Sequence, residues 1–501
     1  MSTLIIIYAF AAIILALYGF NGLIYTAAFA WLRWIRPRKS QPTPLTASIS
    51  DPNLPTVVVQ LPIYNERYVV ERLIDAVAAL EYPIDRLHIQ VLDDSTDDTV
   101  ALARAVVAQH KARGVHIEYI QRPQRNGYKA GALAYGLTRS QAEFVCIFDA
   151  DFVPPADFLL RVMPQFADQT IGLVQTRWGH LNATHSLLTR AQALLLDGHF
   201  GVEQYVRSQL GLLMNFNGSA GVWRRTCIAE AGGWQADTIA EDLDLSYRAQ
   251  LQGWRLRYLP EVVVPAEIPT LLAGFKRQQF RWAKGSIQCV IKNGGRLINS
   301  NESLVRKIEG LLHLTGYIVH PLMMVVLLLS LPLVVTGEFN RVHLGAIGLA
   351  GFGAPIMFAV SQLALYPKGW LKRVLFLPTI VFLGPGLALN NTVAIIEACL
   401  GRNPTLFLRT PKFQTENKLG LANTKEKDVV PYNLPIDWTT WAEIFLVIYT
   451  GLTTAQAMQH ASGLAPFMAS YAIGFGYTAW LGVKQTLFLN TKSTAHVVPL
   501  D

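Results

Sequence analysis

The sequence predicts an α/β domain with a mainly parallel sheet, inserted between membrane-spanning helices. Three observations predict it. The 501 residues are 51% hydrophobic and only 16% charged, apolar for a soluble enzyme of this size. Apolar blocks long enough to cross a bilayer stand at the N-terminus and after residue 308, with one polar region between them. Within that region, strand-like apolar runs alternate with helical patterns, the grammar of a parallel sheet covered on both faces.

Residues 4–32 are nearly uncharged and too long for the apolar core of a secretory signal, and "RWIRPRK" follows at once. That pattern is a signal anchor with its basic end inside. The expected division is a transmembrane helix over 1–32, a basic linker over 33–55, a soluble domain over 56–307 and a transmembrane region over 308–501. The later apolar blocks are 311–335, 344–366, 374–400, 440–458 and 464–487. Gly384, Pro385, Gly386, Asn390 and Asn391 interrupt the third block, which is expected to form two short helices that do not cross. About five spans result, with an interfacial helix at 267–290 and another running into a loop at 390–413.

The formal charge of +8 is read as basic loops facing an anionic leaflet. No long run of like charges and no RNA-binding signature points to nucleic acid. Cys146, Cys227, Cys289 and Cys399 lie far apart without CxxC spacing, which indicates neither a disulfide framework nor a zinc site.

In the polar domain "TVVVQLPIYNE" and "LHIQVLDDSTDDT" read as buried strands ending in polar loops, with "RYVVERLIDAVAAL" a helix between them. "FVCIFDADF" is another strand, after the helical "GYKAGALAYGLTRS". No GxGxxG opens a helix after a strand and no GxxxxGK[ST] occurs, which argues against a dinucleotide dehydrogenase and a P-loop enzyme.

Ligands collect at the carboxyl ends of parallel strands, and there the acids stand. Asp149 and Asp151 are one residue apart, so in an extended segment both side chains project to one side. Two converging carboxylates repel unless a cation joins them, and Mg²⁺ or Mn²⁺ prefers carboxylate and phosphate oxygens. The pair therefore points to a metal-bound diphosphate, although a D-x-D by itself also arises in solvated loops. Asp93 and Asp94 end another strand, Tyr64 and Glu66 a third, and Lys129 follows in "NGYKAGAL". Such loops can hold a base on an aromatic face and meet phosphate with lysine. Glu241, Asp242 and Asp244 open an amphipathic helix, where acids also serve as caps. In "FKRQQFRWAKGS", Trp282 offers a flat face to a sugar ring, Arg281 meets departing diphosphate and Gln278 hydrogen-bonds nearby. The same stretch also reads as an interfacial amphipathic helix.

The ordered set "QLPIYNE", "LDDSTDDT", "NGYKAGAL", "DAD", "FNGSAGVWR", "AEDLDLSYRA" and "QQFRW" resembles the family 2 processive glycosyltransferases of the cellulose synthase superfamily. The wording is most similar to the plant cellulose-synthase-like A and C proteins, which make β-mannan, glucomannan and xyloglucan backbones, and to their bacterial relatives. The likeness runs over 55–290 and extends to "FLRTPK" at 407–412. It implies a GT-A type nucleotide-sugar-binding domain, a UDP-glucose or GDP-mannose donor, and a divalent Mg or Mn cation on Asp149 and Asp151. It assigns nucleotide-sugar contacts to Tyr64, Glu66, Asp94, Lys129, Asp149, Arg281, Thr410 and Lys412. Asp242, last residue of the family's T-E-D motif, becomes the general base, with Glu241 beside it in the catalytic pair. Gln278 and Trp282, with Arg281, match Q-x-x-R-W at the acceptor end, and Phe216, Asn217 and Gly218 match the loop lining the acceptor site. Ala240 replaces the Thr of T-E-D, and Arg409 the Val of the loop that gates the nucleotide.

The expected reaction is one displacement that inverts the anomeric centre, Asp242 taking the acceptor's proton. The expected place is an integral membrane position, in the inner plasma membrane if the chain is bacterial, with the catalytic domain cytoplasmic. The acceptor is a growing β-glycan that crosses the bilayer. Two other readings stay open: a non-processive glycolipid synthase adding one sugar to diacylglycerol or another lipid, and a catalytically silent membrane scaffold.

Overall fold

The structure, a computed structural model, describes residues 3–35, 46–341, 345–402 and 438–494. Helix α1 (Thr3–Ala30) passes into a π-helical turn over Trp31–Ile35. Strands β1 (Val57–Ile63), β2 (Leu87–Asp93), β3 (Ile117–Gln121) and β4 (Phe144–Ile147) then alternate with helices α2 (Val70–Ala78), α3 (Thr99–Ala112) and α4 (Tyr128–Thr138). Helix α5 (Phe158–Val162) precedes β5 (Ile171–His180); α6 (Leu187–Gly198), a π-helical turn over His199–Glu203 and α7 (Gln204–Leu210) lead to β6 (Gly221–Arg224). Helices α8 (Arg225–Glu230) and α9 (Glu241–Leu251) come before β7 (Arg255–Ala266).

One sheet of seven strands results, in the order β3-β2-β1-β4-β6-β5-β7. Pairing is parallel except for β6, which runs antiparallel to both neighbours. The mainly parallel α/β sheet expected from the sequence is present. In β1 every residue but Pro62 is buried, as a largely apolar strand between two helical layers requires, and its one polar side chain, Gln60, donates to Gln90 Oε1 at 3.0 Å. Helix α2 buries Val70, Leu73, Ile74 and Val77, a stripe at helical spacing. β1 and β4 are sheet neighbours although β2 and β3 lie between them in sequence. A crevice opens at the carboxyl ends of strands where the order reverses in this way.

Helices α10 (Leu272–Ile298), α11 (Leu304–Leu314), α12 (Val319–Val335), α13 (Gly353–Leu365), α14 (Trp370–Val374), α15 (Leu377–Cys399), α16 (Trp438–His460) and α17 (Ala465–Thr494) follow. Among the described residues, four segments are long and apolar enough to cross a membrane: Thr3–Ile35, Gly316–Val335, Gly348–Leu365 and Trp370–Cys399. Blocks 440–458 and 464–487, expected as spans, lie in helices α16 and α17 but outside that set of four.

The block 374–400, expected to break into two short helices, contains one long continuous helix, α15. Its supposed interruptions are protein contacts. A Cβ on Gly386 would lie 2.4 Å from Thr478 Cγ2, and one on Gly474 would lie 2.3 Å from Phe382 O, so glycines let α15 and α17 approach closely. Asn390 donates to Lys276 O at 3.1 Å, and the Asn391 amide meets His320 Nε2 at 2.9 Å. Polar groups satisfied inside the protein do not break a helix as they would against lipid.

Candidate active site

The loops after β1, β2 and β4 surround a pocket of about 220 Å³. Tyr64, Glu66, Asp94, Lys129, Asp149 and Asp151 meet there with Asn217, Gly218, Glu241, Asp242, Gln278, Arg281 and Trp282. Thr410 and Lys412, the remaining candidates for the nucleotide, lie outside the described residues.

The β1 and β2 loops are pinned to each other. Asn65 holds a left-handed φ of 56°. Its N–H donates to Ser95 Oγ at 2.7 Å, and its side-chain oxygen accepts the Thr96 N–H at 2.8 Å. Backbone strain of this kind persists where surrounding bonds over-determine it. Asp93 turns inward to accept from Ser95 N–H and Tyr119 O–H, both at 2.8 Å, so only Asp94 of the pair lines the pocket. Arg122 grips Asp94 with two nitrogens, one of them Nε at 2.9 Å. Arg125 stacks over Tyr64, 3.3 Å from its ring centroid, and over Tyr128 at 4.8 Å. Neither arginine was legible in the sequence beforehand; the available signal was their position in "QRPQRNGYK", just ahead of α4.

β4 ends at Ile147, so Asp149 and Asp151 are not in an extended strand. A turn, closed by Phe152 N–H donating to Asp149 O at 3.1 Å, brings both to the pocket in place of strand alternation. Lys129 Nζ donates to Asp149 Oδ1 at 2.5 Å and to Gly218 O at 2.9 Å, and stands 3.8 Å from Glu241 Oε1. Burial opposes the charge on Lys129, yet Asp149, Glu241 and Asp242 together raise its pKa. Burial, then the neighbouring Asp242, pushes the Glu241 carboxyl up to about 7 against the pull of Lys129. Asp242 is also raised, first by burial. Burial lowers Arg281 in spite of the acids around it. Gln278, Arg281 and Trp282 occupy one face of α10, at i, i+3 and i+4.

The loop after α7 lies against Asp242. Gly218 has a φ of 83°, and a Cβ there would sit 2.8 Å from Asp242 Oδ2. Ser219 Oγ accepts the Asp149 N–H at 2.9 Å, and Trp178 Nε1 donates to Ser219 O at 3.1 Å. Phe216 requires a correction. It is 1% exposed and packs edge-on against Trp223 at 5.7 Å, so it anchors the loop from beneath and does not face an acceptor.

A second cavity, about 480 Å³, adjoins the first. Trp178, Leu196, Asn217, Ala240, Asp242 and Trp282 line both. The second runs on past Tyr18 and Asn21 of α1 to His320, Leu383 and Leu387. Four of its lining residues carry a buried side-chain atom without a hydrogen-bonding partner: Asn21 Oδ1, Gln192 Oε1, Gln279 Nε2 and His320 Nδ1. Aromatic faces together with unsatisfied amides suit a polar, ring-shaped occupant such as a sugar.

Among the described residues, no group of three or more His, Cys, Asp and Glu side chains could hold a metal alone. Asp149 and Asp151 nevertheless fit a hard divalent ion completed by a diphosphate, because Mg²⁺ characteristically takes one or two carboxylates plus substrate phosphates.

Residues 52–285 match the family described as glycosyltransferase-like family 2. Glucomannan 4-beta-mannosyltransferase 2 of Arabidopsis thaliana is 46% identical over 262 residues, which cover 51% of this chain and 49% of that protein. Glucomannan 4-beta-mannosyltransferase 1 of Oryza sativa subsp. japonica is 46% identical over 236 residues, covering 46% and 45%. The chain spans about half the length of the curated relatives it matches. Among solved structures, the mannosyltransferase PcManGT from Pyrobaculum calidifontis, in complex with GDP-Man and Mn²⁺, shares 22% identity at a TM-score of 0.49, covering 78% of this chain and 99% of that one.

Proposed function

We propose, from the match of residues 52–285 to the glycosyltransferase-like family 2, that the chain is an inverting hexosyltransferase. It transfers sugar from a nucleotide sugar to a growing β-linked polysaccharide and passes the product into the membrane region. The observation that carries this reading is the position of Asp242, which lines both the pocket of strand-end acids and the cavity that runs in among apolar helices.

Tyr64, Glu66 and Asp94 line the donor pocket as groups for the nucleoside, and Lys129 and Arg281 bring positive charge to the diphosphate. Asp149 and Asp151 would hold Mg²⁺ or Mn²⁺, which when bound supplies charge neutralisation of the leaving diphosphate. Trp282 and Trp178 give flat faces to sugar rings at the junction of the cavities. Asp242 takes the proton from the acceptor hydroxyl as its oxygen attacks the anomeric carbon. The bond from that carbon to the phosphate oxygen breaks, and the nucleoside diphosphate leaves with the electron pair. One displacement inverts configuration, so an α-linked donor yields a β-linked product. Asp242 Oδ1 is engaged by the Leu243 N–H at 2.8 Å, which leaves Oδ2, beside Gly218, for the proton.

The names of the relatives support mannose as the transferred sugar, which makes GDP-mannose the first donor to test and UDP-glucose the second. The unsatisfied side-chain atoms of Asn21, Gln192, Gln279 and His320 among the second cavity's apolar and aromatic walls support a glycan occupant over a lipid tail. The catalytic domain faces the cytoplasm, where nucleotide sugars are made, with the basic end of α1 on the same side.

The test is to incubate the purified protein in nanodiscs with Mg²⁺ or Mn²⁺ and radiolabelled GDP- and UDP-sugars, then size the product. A high-molecular-weight polymer digested by a β-mannanase is the expected result. Label extracted into organic solvent as a single-sugar lipid would replace the reading with glycolipid synthesis. Absence of nucleotide release with every donor would make the chain a scaffold.

A further inference from the structure

A main-chain carbonyl settles the orientation of a side-chain relay beneath the acceptor loop. Gln204 Nε2 lies 2.9 Å from Asn215 O, an atom that can only accept, so the group facing it is the amide nitrogen. The same nitrogen donates at 2.8 Å to Asn217, whose atom there must therefore be the oxygen. Asn217 Nδ2 then faces His199 Nε2 at 3.0 Å, and an amide nitrogen can only donate. His199 Nε2 must carry a lone pair, so its proton is on Nδ1, which donates to Glu203 Oε2 at 2.9 Å. Arg207 Nε holds the other oxygen of Glu203, also at 2.9 Å. Burial alone would raise Glu203, yet Arg207 and His199 keep it well below the usual carboxylate range.

We propose that His199, fixed in one tautomer by Glu203 and Arg207, is a positioning residue that locks the Asn217 amide so that its second N–H holds the acceptor sugar beside Asp242. Asn217 lines both cavities, and the neighbouring Gly218 stands so close to the Asp242 carboxylate that a Cβ there would lie 2.8 Å from Oδ2. His199 and Glu203 sit on a π-helical turn, an irregularity that recurs where a helix must re-aim a side chain for function. No charge is moved by the relay; it makes the wrong amide orientation costly, because a flipped Asn217 would set nitrogen against nitrogen at Gln204 and oxygen against a lone pair at His199. The inference rests on the reading of Asp242 as base for a sugar hydroxyl.

The experiment titrates β-1,4-linked manno-oligosaccharide acceptors at saturating GDP-mannose, and measures GDP affinity separately by calorimetry. His199→Phe is expected to raise the acceptor KM about tenfold while GDP affinity changes by less than about twofold, the scale of one lost hydrogen bond confined to the acceptor side. His199→Gln, whose amide oxygen reaches the Nε2 position, is expected to keep the acceptor KM near wild type. His199→Asn, too short to reach Asn217, is expected to behave like His199→Phe. Should His199→Phe fail to fold, the contrast between Gln and Asn carries the test. An unchanged acceptor KM in both Phe and Asn variants, or an equal loss of GDP affinity, overturns the proposal while leaving the proposed function standing. Wild-type protein that transfers sugar to no acceptor overturns both.

Discussion

Alanine at position 218 would collide with the proposed base. A Cβ there would lie 2.8 Å from Asp242 Oδ2 and 3.4 Å from Lys129 Nζ. Ordinary contact begins at 3.4 Å, so the carboxylate or the loop must give way by about 0.6 Å. Misplacing a catalytic group by 1 Å lowers rate on the order of 100-fold, so kcat is expected to fall about 10- to 100-fold. The left-handed backbone adds about 1–2 kcal/mol of destabilisation for any side chain. Gly211→Ala separates the two effects, because Gly211 has a φ of 65° and nothing within 4 Å of its Cβ position. The assay is kcat at saturating donor and acceptor, with thermal unfolding of both variants. Both should lose stability alike, and only Gly218→Ala should lose turnover. Wild-type kcat in Gly218→Ala, or equal losses in the two variants, would refute the argument that Gly218 is kept bare for Asp242.

Asp242→Asn is expected to lower transfer by about 10²- to 10⁴-fold, the usual contribution of a general base, with GDP-mannose affinity retained in calorimetric titration. Unchanged turnover would remove Asp242 from that role. Lys129 stands 3.8 Å from Glu241 Oε1, a separation at which unit charges interact by about 4 kcal/mol at an effective dielectric of 20. The base works ionised, so the rate falls as pH drops through the raised pKa of the Glu241–Asp242 pair, and Lys129 favours the ionised form. Lys129→Met should therefore move the acid limb of the pH–rate profile upward by about 1–3 units, whereas an unmoved limb would show that Lys129 acts only on the diphosphate. Lys276 Nζ donates to the fully buried Glu443 at 2.5 Å, joining α10 to α16. Lys276→Met should lower unfolding stability by about 3–5 kcal/mol, and Glu443→Gln on that background should restore part of it; additive losses would argue against a coupled pair.

The amino-acid sequence by itself determined the sheet, its helical cover and most of the acids at the strand ends, because these follow from local rules. An apolar run such as Val57–Ile63 reads the same wherever it folds, and the stripe of Val70, Leu73, Ile74 and Val77 declares its buried face. Asp149, Asp151 and Asp242 were legible for a related reason, since each stands beside an element boundary, and Arg281 and Trp282 because they share one face of a helix, all in chemistry suited to diphosphate and sugar. Only the tertiary structure decided what depends on distant partners. Gly386, Asn390 and Asn391 looked like helix breaks until Thr478, Lys276 and His320 were seen against them. Phe216 carried the look of an acceptor contact and proved to be core, since loop membership does not tell which way a ring turns. Arg122 on Asp94, and His199 on Asn217, are pairings across 28 and 18 residues that no periodicity encodes. The meeting of two cavities at Asp242 is the furthest from the sequence, because it requires the start of α9, one face of α10 and the apolar helices to converge, and packing alone sets that convergence.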